Sequence, residues 1–165
     1  MPSAFRVLTA RRKSLPTSWP YASTAPPFGA IATLGQTALP LDLPKGHFFA
    51  PCAFEIPSFE TIKSEVFGPV LHVFAFEADQ LMQVVDAINA SGYGLTLGEH
   101  SRIEETIEAI RVRARVGNLY VNRNQIGAVV GVQPFGGEGL SGTGPKAGGP
   151  HYLFRFASER TVTVN

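Results

Sequence analysis

The sequence predicts an α/β fold built on a parallel sheet with right-handed crossovers. Three observations carry that prediction. Strand-like and helix-like segments alternate between residues 69 and 121, an order that favours parallel pairing. The two helical segments carry apolar residues at helical spacing. A glycine-dense loop follows the last strand, with 10 of the chain's 17 glycines between residues 117 and 150. Such density signals backbone that takes positive φ or approaches another group closely. In open α/β sheets ligands bind beyond the carboxyl ends of the strands, which makes this loop the candidate site.

The elements follow in chain order. Residues 1–41 contain no Asp or Glu and carry Arg6, Arg11, Arg12 and Lys13. They show neither strand nor helix periodicity, and Pro16, Pro20, Pro26 and Pro27 exclude a continuous helix. Transit-like leaders are Arg- and Ser-rich and poor in acids, but a non-native or weakly structured start is the preferred reading of residues 1–33. The structured domain is expected over residues 34–165. Residues 47–56, HFFAPCAFEI, read as an extended edge or loop segment because of their proline. Residues 59–66 suggest a helical turn, and residues 69–76, PVLHVFAF, a strand. Residues 78–89 predict a helix with Leu81, Val84, Val85 and Ile88 on one face and Gly92 as its terminating glycine. Residues 95–97 form a short strand. Ser101 and Glu104 have capping-box spacing for a second helix with Ile103, Ile107 and Ile110 as its buried stripe. Residues 116–121 predict a third strand, and residues 161–164, TVTV, one more.

Composition narrows the function classes. A net charge of +1 gives no footprint for nucleic acid or a membrane surface. No apolar run reaches the roughly 18 residues of a membrane span. Cys52 is the only cysteine, so no internal disulfide forms.

Several motifs bear on chemistry. Gly137, Gly139 and Gly142 satisfy G-x-G-x-x-G. A dinucleotide fingerprint opens the first βα turn of its unit and precedes an acidic residue on the next strand; this run comes late, and Glu159 does not fit that place. A phosphate-binding P-loop fails because Lys146 precedes Ala147 rather than Ser or Thr. His47, His72, His100 and His151 are scattered without metal-ligand spacing. Asn89-Ala90-Ser91 is a glycosylation triplet at a helix end, where chance is the simpler reading. Cys52 sits in an apolar run, where a buried thiol is usually inert. Glu104, Glu105 and Glu108 read as a solvated helix face.

Two stretches carry a resemblance to a known family. Residues 65–70, EVFGPV, resemble a motif of aldehyde dehydrogenases. GNLYVNR, followed by GAVVGVQPFGGEGLSGTGPKAGGP, is similar to the closing part of the Δ1-pyrroline-5-carboxylate dehydrogenase unit of bacterial bifunctional proline utilization proteins. The resemblance runs from about Leu34 to Asn165 and implies a partial three-layer α/β aldehyde dehydrogenase-like catalytic domain. It implies NAD as cofactor, a small-molecule substrate and a cytoplasmic location. Glu65 and Phe67 would hold the nicotinamide riboside, the carboxylate accepting from the ribose hydroxyls. The plainer alternative is a helix-end glutamate beside a core phenylalanine. Backbone amides at Gly127 and Ala128 would anchor the carboxylate of glutamate semialdehyde, the physics of a backbone nest. Phe135 would line the aldehyde pocket or simply pin the loop.

The departures matter as much. The family uses a cysteine nucleophile and a glutamate base, both upstream of the EVFGP motif, as is its dinucleotide domain. Cys52 lies only 13 residues before that motif and does not match the nucleophile's sequence. The expectation is a fragment of an NAD-dependent glutamate semialdehyde dehydrogenase of proline catabolism, inactive alone. Two alternatives stay open: a small-carboxylate-binding remnant, and an interaction subunit that completes a split dehydrogenase. Unpaired sheet edges would favour self-association or association with the missing dehydrogenase part.

Overall fold

The computed structural model describes residues 30–165 apart from Pro40, Pro44, Phe67, Ile126, Gly127, Val130 and Thr143. The chain divides into two compact units, Met1–Ala87 and Ile88–Asn165.

In the first unit, β1 (Ala32–Gln36), β2 (Cys52–Glu55) and β3 (Val70–Val73) form a sheet in that order. β2 pairs with β3 in parallel and with β1 antiparallel, with a register shift between Thr33 and Gly35. The segment expected as an edge or loop thus contains the central strand. Pro51 does not prevent this. It stands just outside the ladder, where its missing N–H removes nothing, and its carbonyl accepts from Thr37 N at 3.0 Å. Strand alternation puts Cys52, Phe54 and Ile56 into the core while Ala53 and Glu55 are half-buried. β3 is shorter than expected at both ends. Pro69 contributes only its carbonyl, to Cys52 N at 3.0 Å. Beyond the strand, Phe74 packs between Phe59, from a 3₁₀ turn at Phe59–Thr61, and Phe76, with ring centroids 6.4 and 5.9 Å away.

α1 (Leu81–Ala90) follows a 3₁₀ turn at Ala78–Gln80, whose start is tied by Glu77 N donating to Gln80 Oε1 at 3.1 Å. Val85 is buried and Leu81, Val84 and Ile88 are half-buried, the apolar face read from the sequence. Gly92 takes φ +78° beyond the helix, a left-handed value that suits glycine. Asn89 uses both amide atoms, donating to Arg113 O at 2.9 Å and accepting from Arg115 N at 2.8 Å, so its place in the glycosylation triplet is structural.

The second unit holds a β-α-β passage: β5 (Thr96–Glu99), α2 (Glu104–Arg113) and β6 (Asn118–Val121). β5 and β6 pair in parallel, Thr96 opposite Asn118 and Glu99 opposite Val121. β4 (Tyr93–Gly94) pairs antiparallel with β7 (Glu138–Gly139), which lies inside the glycine-rich run. Ser101 does not cap α2; Ile103 occupies that place. The reason is local. Asn122 accepts from Ser101 N at 3.0 Å and donates to Ser101 O at 2.9 Å, while Ser101 Oγ accepts from Ile103 N at 3.1 Å. Ser101 is thereby held in the loop, and α2 starts later. Of the expected stripe, Ile110 is buried, Ile107 half-buried and Ile103 exposed.

The alternating order gives parallel pairs within each unit, β2 with β3 and β5 with β6. Residues 161–164, expected as one more strand, form none and are exposed, a correction. No helix among the described residues is long and apolar enough to cross a membrane.

Candidate functional site

The loop leaving β6 stands at the carboxyl end of the parallel β5–β6 pair. Its exit is set by Asn122, which takes φ +54°, a left-handed value asparagine tolerates. Arg123 lies 4.7 Å over the ring of Tyr120. Gln125 stands against Gly98, where a Cβ would meet its side-chain oxygen at 3.0 Å.

The next turn is closed on itself. Gln133 N donates to Val129 O at 2.8 Å, and Val129 N donates to Gln133 Oε1 at 3.2 Å. Gly131, at φ +79°, supplies the left-handed position of this turn. We predict that Gln133→Ala removes about 0.5–1.5 kcal/mol of local protection, read as faster hydrogen exchange of the Val129 amide. Unchanged exchange would refute the tie. Immediately before this turn stands Ala128, half-buried, whose N–H donates to no acceptor among the described residues.

Further on, the backbone of Phe135 is fixed. Phe135 and Ala147 form a bridge through Phe135 N to Ala147 O at 3.0 Å and Ala147 N to Phe135 O at 2.9 Å. Asn118, the first residue of β6, donates through Nδ2 to Pro134 O at 3.0 Å and accepts at Oδ1 from Gly136 N at 3.3 Å. Lys146 Nζ donates to Gly117 O. Several glycines of the run have no room for a side chain. A Cβ on Gly117 would meet Gly136 C at 2.7 Å and Gly137 Cα at 2.8 Å, and one on Gly137 would meet Ser141 Cβ at 2.6 Å. These glycines let loop and strand approach one another. The G-x-G-x-x-G match is accounted for in this way, as backbone packing.

The five residues singled out from the sequence are placed unevenly. Phe135 and Ala128 are half-buried in the second unit. Glu65 is half-buried in the first unit, on the irregular segment before β3 and three residues ahead of Gly68, which takes φ +130°. Phe67 and Gly127 lie outside the described residues. Sequence reasoning missed Asn118 and Gln133, because an amide that binds backbone across a loop leaves no periodic trace. It also missed Glu99, whose place at the end of β5 is buried.

Burial governs the other titratable groups near the core. It pushes the Cys52 thiol above its ordinary value, the opposite of what activates a nucleophile. It holds the His72 imidazole below its ordinary value, in a strand where the ring lies 6.5 Å from that of Phe54. Among the described residues no cluster of His, Cys, Asp or Glu is arranged to hold a metal.

Comparison with known proteins agrees with these features. The model of the aldehyde dehydrogenase family matches residues 12–162. The bifunctional protein PutA of Klebsiella aerogenes is 64% identical over 115 residues, which are 70% of this chain and 9% of that protein. Human mitochondrial Δ1-pyrroline-5-carboxylate dehydrogenase is 38% identical over 122 residues, covering 71% of this chain and 22% of that protein. The crystal structure of a Bradyrhizobium japonicum proline utilization A variant superposes with a TM-score of 0.69 at 64% identity, over 73% of this chain and 12% of that one. The chain therefore spans about a tenth of the bifunctional relatives it matches, 9% in the first case.

Proposed function

We propose, for a chain that belongs to the aldehyde dehydrogenase family, that it supplies the substrate-anchoring part of a catalytic domain oxidising glutamate semialdehyde to glutamate. One observation carries this reading. The Ala128 amide has no acceptor among the described residues, at the carboxyl end of a parallel strand pair, in a loop whose neighbouring Val129 amide is already bonded. A small residue at that place lets a backbone N–H approach a carboxylate, and the resemblance pairs Ala128 with Gly127 in that role. Phe135, held by its backbone on both edges, forms the apolar wall beside the aldehyde carbon.

The family generally uses NAD(P). Glu65, half-buried, would hold the nicotinamide ribose, since a carboxylate can accept from a diol, and Phe67 is the residue the resemblance assigns to the same sugar. NAD, when bound, takes up the hydride lost from the substrate carbon. Cys52 does not serve as the nucleophile, because it is a core residue of β2 with a thiol raised by burial. This reading takes the protein to be cytoplasmic.

Two measurements test the reading. The purified chain with glutamate semialdehyde and NAD should form no NADH; turnover that Cys52→Ala abolishes would sink the assignment. In calorimetry, the chain should bind glutamate, and Ala128→Pro, which deletes the N–H, should abolish the heat. Absence of binding by the unaltered chain, or full binding by Ala128→Pro, would remove the anchor.

A second reading, an interaction subunit that completes a dehydrogenase, is favoured by one observation. Leu153, Phe154, Phe156 and Val164 are 77%, 71%, 73% and 84% exposed. Exposed apolar side chains close together in sequence, as Leu153, Phe154 and Phe156 are on the 3₁₀ turn Tyr152–Phe156, suit an association surface. Sedimentation of the chain alone should show concentration-dependent self-association, and a monodisperse monomer would count against it.

A further inference from the structure

We infer that Asn118 is the positioning residue for Phe135, holding the aromatic wall at a fixed height above the sheet. The role of Phe135 as pocket wall is taken from the proposed function; the positioning itself rests on geometry. Asn118 is the first residue of β6 and is anchored there by its own N–H, which donates to Leu95 O at 3.1 Å. Its side chain then reaches the loop on both sides of Phe135, donating to Pro134 O at 3.0 Å and accepting from Gly136 N at 3.3 Å. The orientation of the amide is determined by these partners. The flipped amide would set oxygen against the Pro134 carbonyl and N–H against the Gly136 N–H.

With the Ala147 bridge, every backbone polar group from Pro134 O to Gly136 N is engaged: Pro134 O and Gly136 N by Asn118, Phe135 N and Phe135 O by Ala147. The two ties differ in kind. Ala147 belongs to the same loop, so its bridge shapes the loop without fixing it to the sheet. Asn118 belongs to a strand and crosses from sheet to loop. It is therefore the side-chain contact that ties the residues flanking Phe135 directly to the strand, beside the Lys146–Gly117 contact farther along the loop. No other common side chain of this length both donates and accepts in one plane. Aspartate does so only when protonated.

That last point supplies the test. The full chain is labelled with fluorinated phenylalanine, and the Phe135 signal is assigned through its loss in Phe135→Leu. Asn118→Ala should move or broaden that signal while the signals of Phe54, Phe59 and Phe74 stay in place. Asn118→Asp should show a pH profile that the unaltered chain lacks. At acid pH the protonated carboxyl donates to Pro134 O and accepts from Gly136 N, restoring the original signal. At neutral pH the carboxylate repels Pro134 O, and the signal moves. An Asn118→Asp spectrum that is pH-independent at Phe135, or an Asn118→Ala signal identical to the unaltered chain, would overturn the inference. Because the same Asn118→Asp molecule is compared at two pH values, a general folding defect does not imitate the result. A glutamate titration separates the two claims. If glutamate leaves the Phe135 signal unmoved while the Asn118 variants still shift it, the pocket reading fails and the positioning stands. If glutamate moves Phe135 equally in the unaltered chain and in Asn118→Ala, the positioning fails.

Discussion

Replacing Glu99 with leucine is expected to stabilise the protein at neutral pH. Glu99 is 8% exposed, and both carboxylate oxygens are buried without a hydrogen-bond partner among the described residues. Strand alternation puts it on the same face as Leu97, beside Leu119 and Val121 of the paired strand, so its neighbours within the sheet are apolar. A buried carboxylate without compensation costs about 1–3 kcal/mol or more, and burial accordingly pushes the Glu99 carboxyl above its ordinary 4.5. The sign follows. Above pH 4.5 the unfolded chain releases this proton while the folded chain still holds it. The folded state then binds more protons, and stability falls as pH rises until the folded carboxyl also ionises. Below that window the contribution is fully present. Glu99→Leu should therefore raise the melting temperature by roughly 2–4 °C for each kcal/mol recovered, with the gain largest at neutral pH and shrinking toward acid. Glu99→Gln should flatten the same pH dependence while recovering less, since the amide still lacks partners. Melting curves of the three proteins across pH decide the matter. A Glu99→Leu protein less stable than the unaltered chain at neutral pH would show that the carboxylate has a partner in solution.

The contrast between Glu99 and the helices shows what the sequence could and could not reveal. α1 was legible because Leu81, Val84, Val85 and Ile88 repeat at helical spacing and Gly92 punctuates the end, and both signals are local. The strands β3, β5 and β6 were legible in kind; β6 ends at Val121 as expected and starts later, β5 is shifted toward its carboxyl end, and β3 is shorter at both ends because Pro69 and Phe74 keep strand-like character outside the ladder. β2 was read too weakly because Pro51 argued against a central strand, and only pairing with strands on both sides reveals that the proline lies outside it. The end of the chain misled in the opposite way. TVTV alternates like a strand, but alternation without a partner strand does not make one. Ser101 had the composition of a cap, and a residue 21 positions away, Asn122, holds it elsewhere. At the site, the resemblance named Ala128 and Phe135, yet the amides of Asn118 and Gln133 that hold this loop were invisible. Their partners are backbone atoms, which every residue possesses, so nothing in the composition marks them.

The largest destabilisation is expected from adding one carbon to Gly117. Its Cβ would meet Gly136 C at 2.7 Å and Gly137 Cα at 2.8 Å, and these are backbone atoms that cannot rotate away. The position is fixed from two further directions. Gly117 N donates to Gly94 O at 3.0 Å, and Gly117 O accepts from Lys146 Nζ. Overpacking typically costs about 1–3 kcal/mol and sometimes more. A clash with backbone on one side and hydrogen bonds on two others belongs at the upper end. Gly117→Ala should therefore lift residues 134–137 off β6, strain the Asn118 contacts, and expose the Phe135 and Ala147 amides to exchange. Gly131 is the control. It too is a glycine of the run, at φ +79°, but nothing lies within 4 Å of its Cβ position. Gly131→Asn, which tolerates the left-handed region, should change the melting temperature little and leave Phe135 protected. If Gly117→Ala keeps the native melting temperature and a protected Phe135–Ala147 pair, the loop is not seated on β6 through this glycine. If both variants are equally damaging, the run is sensitive for its backbone angles rather than for close approach. The expected split between them assigns the glycines two jobs. Those at Gly117 and Gly137 pack loop against sheet, and the one at Gly131 supplies the left-handed position that turns the chain after Val129.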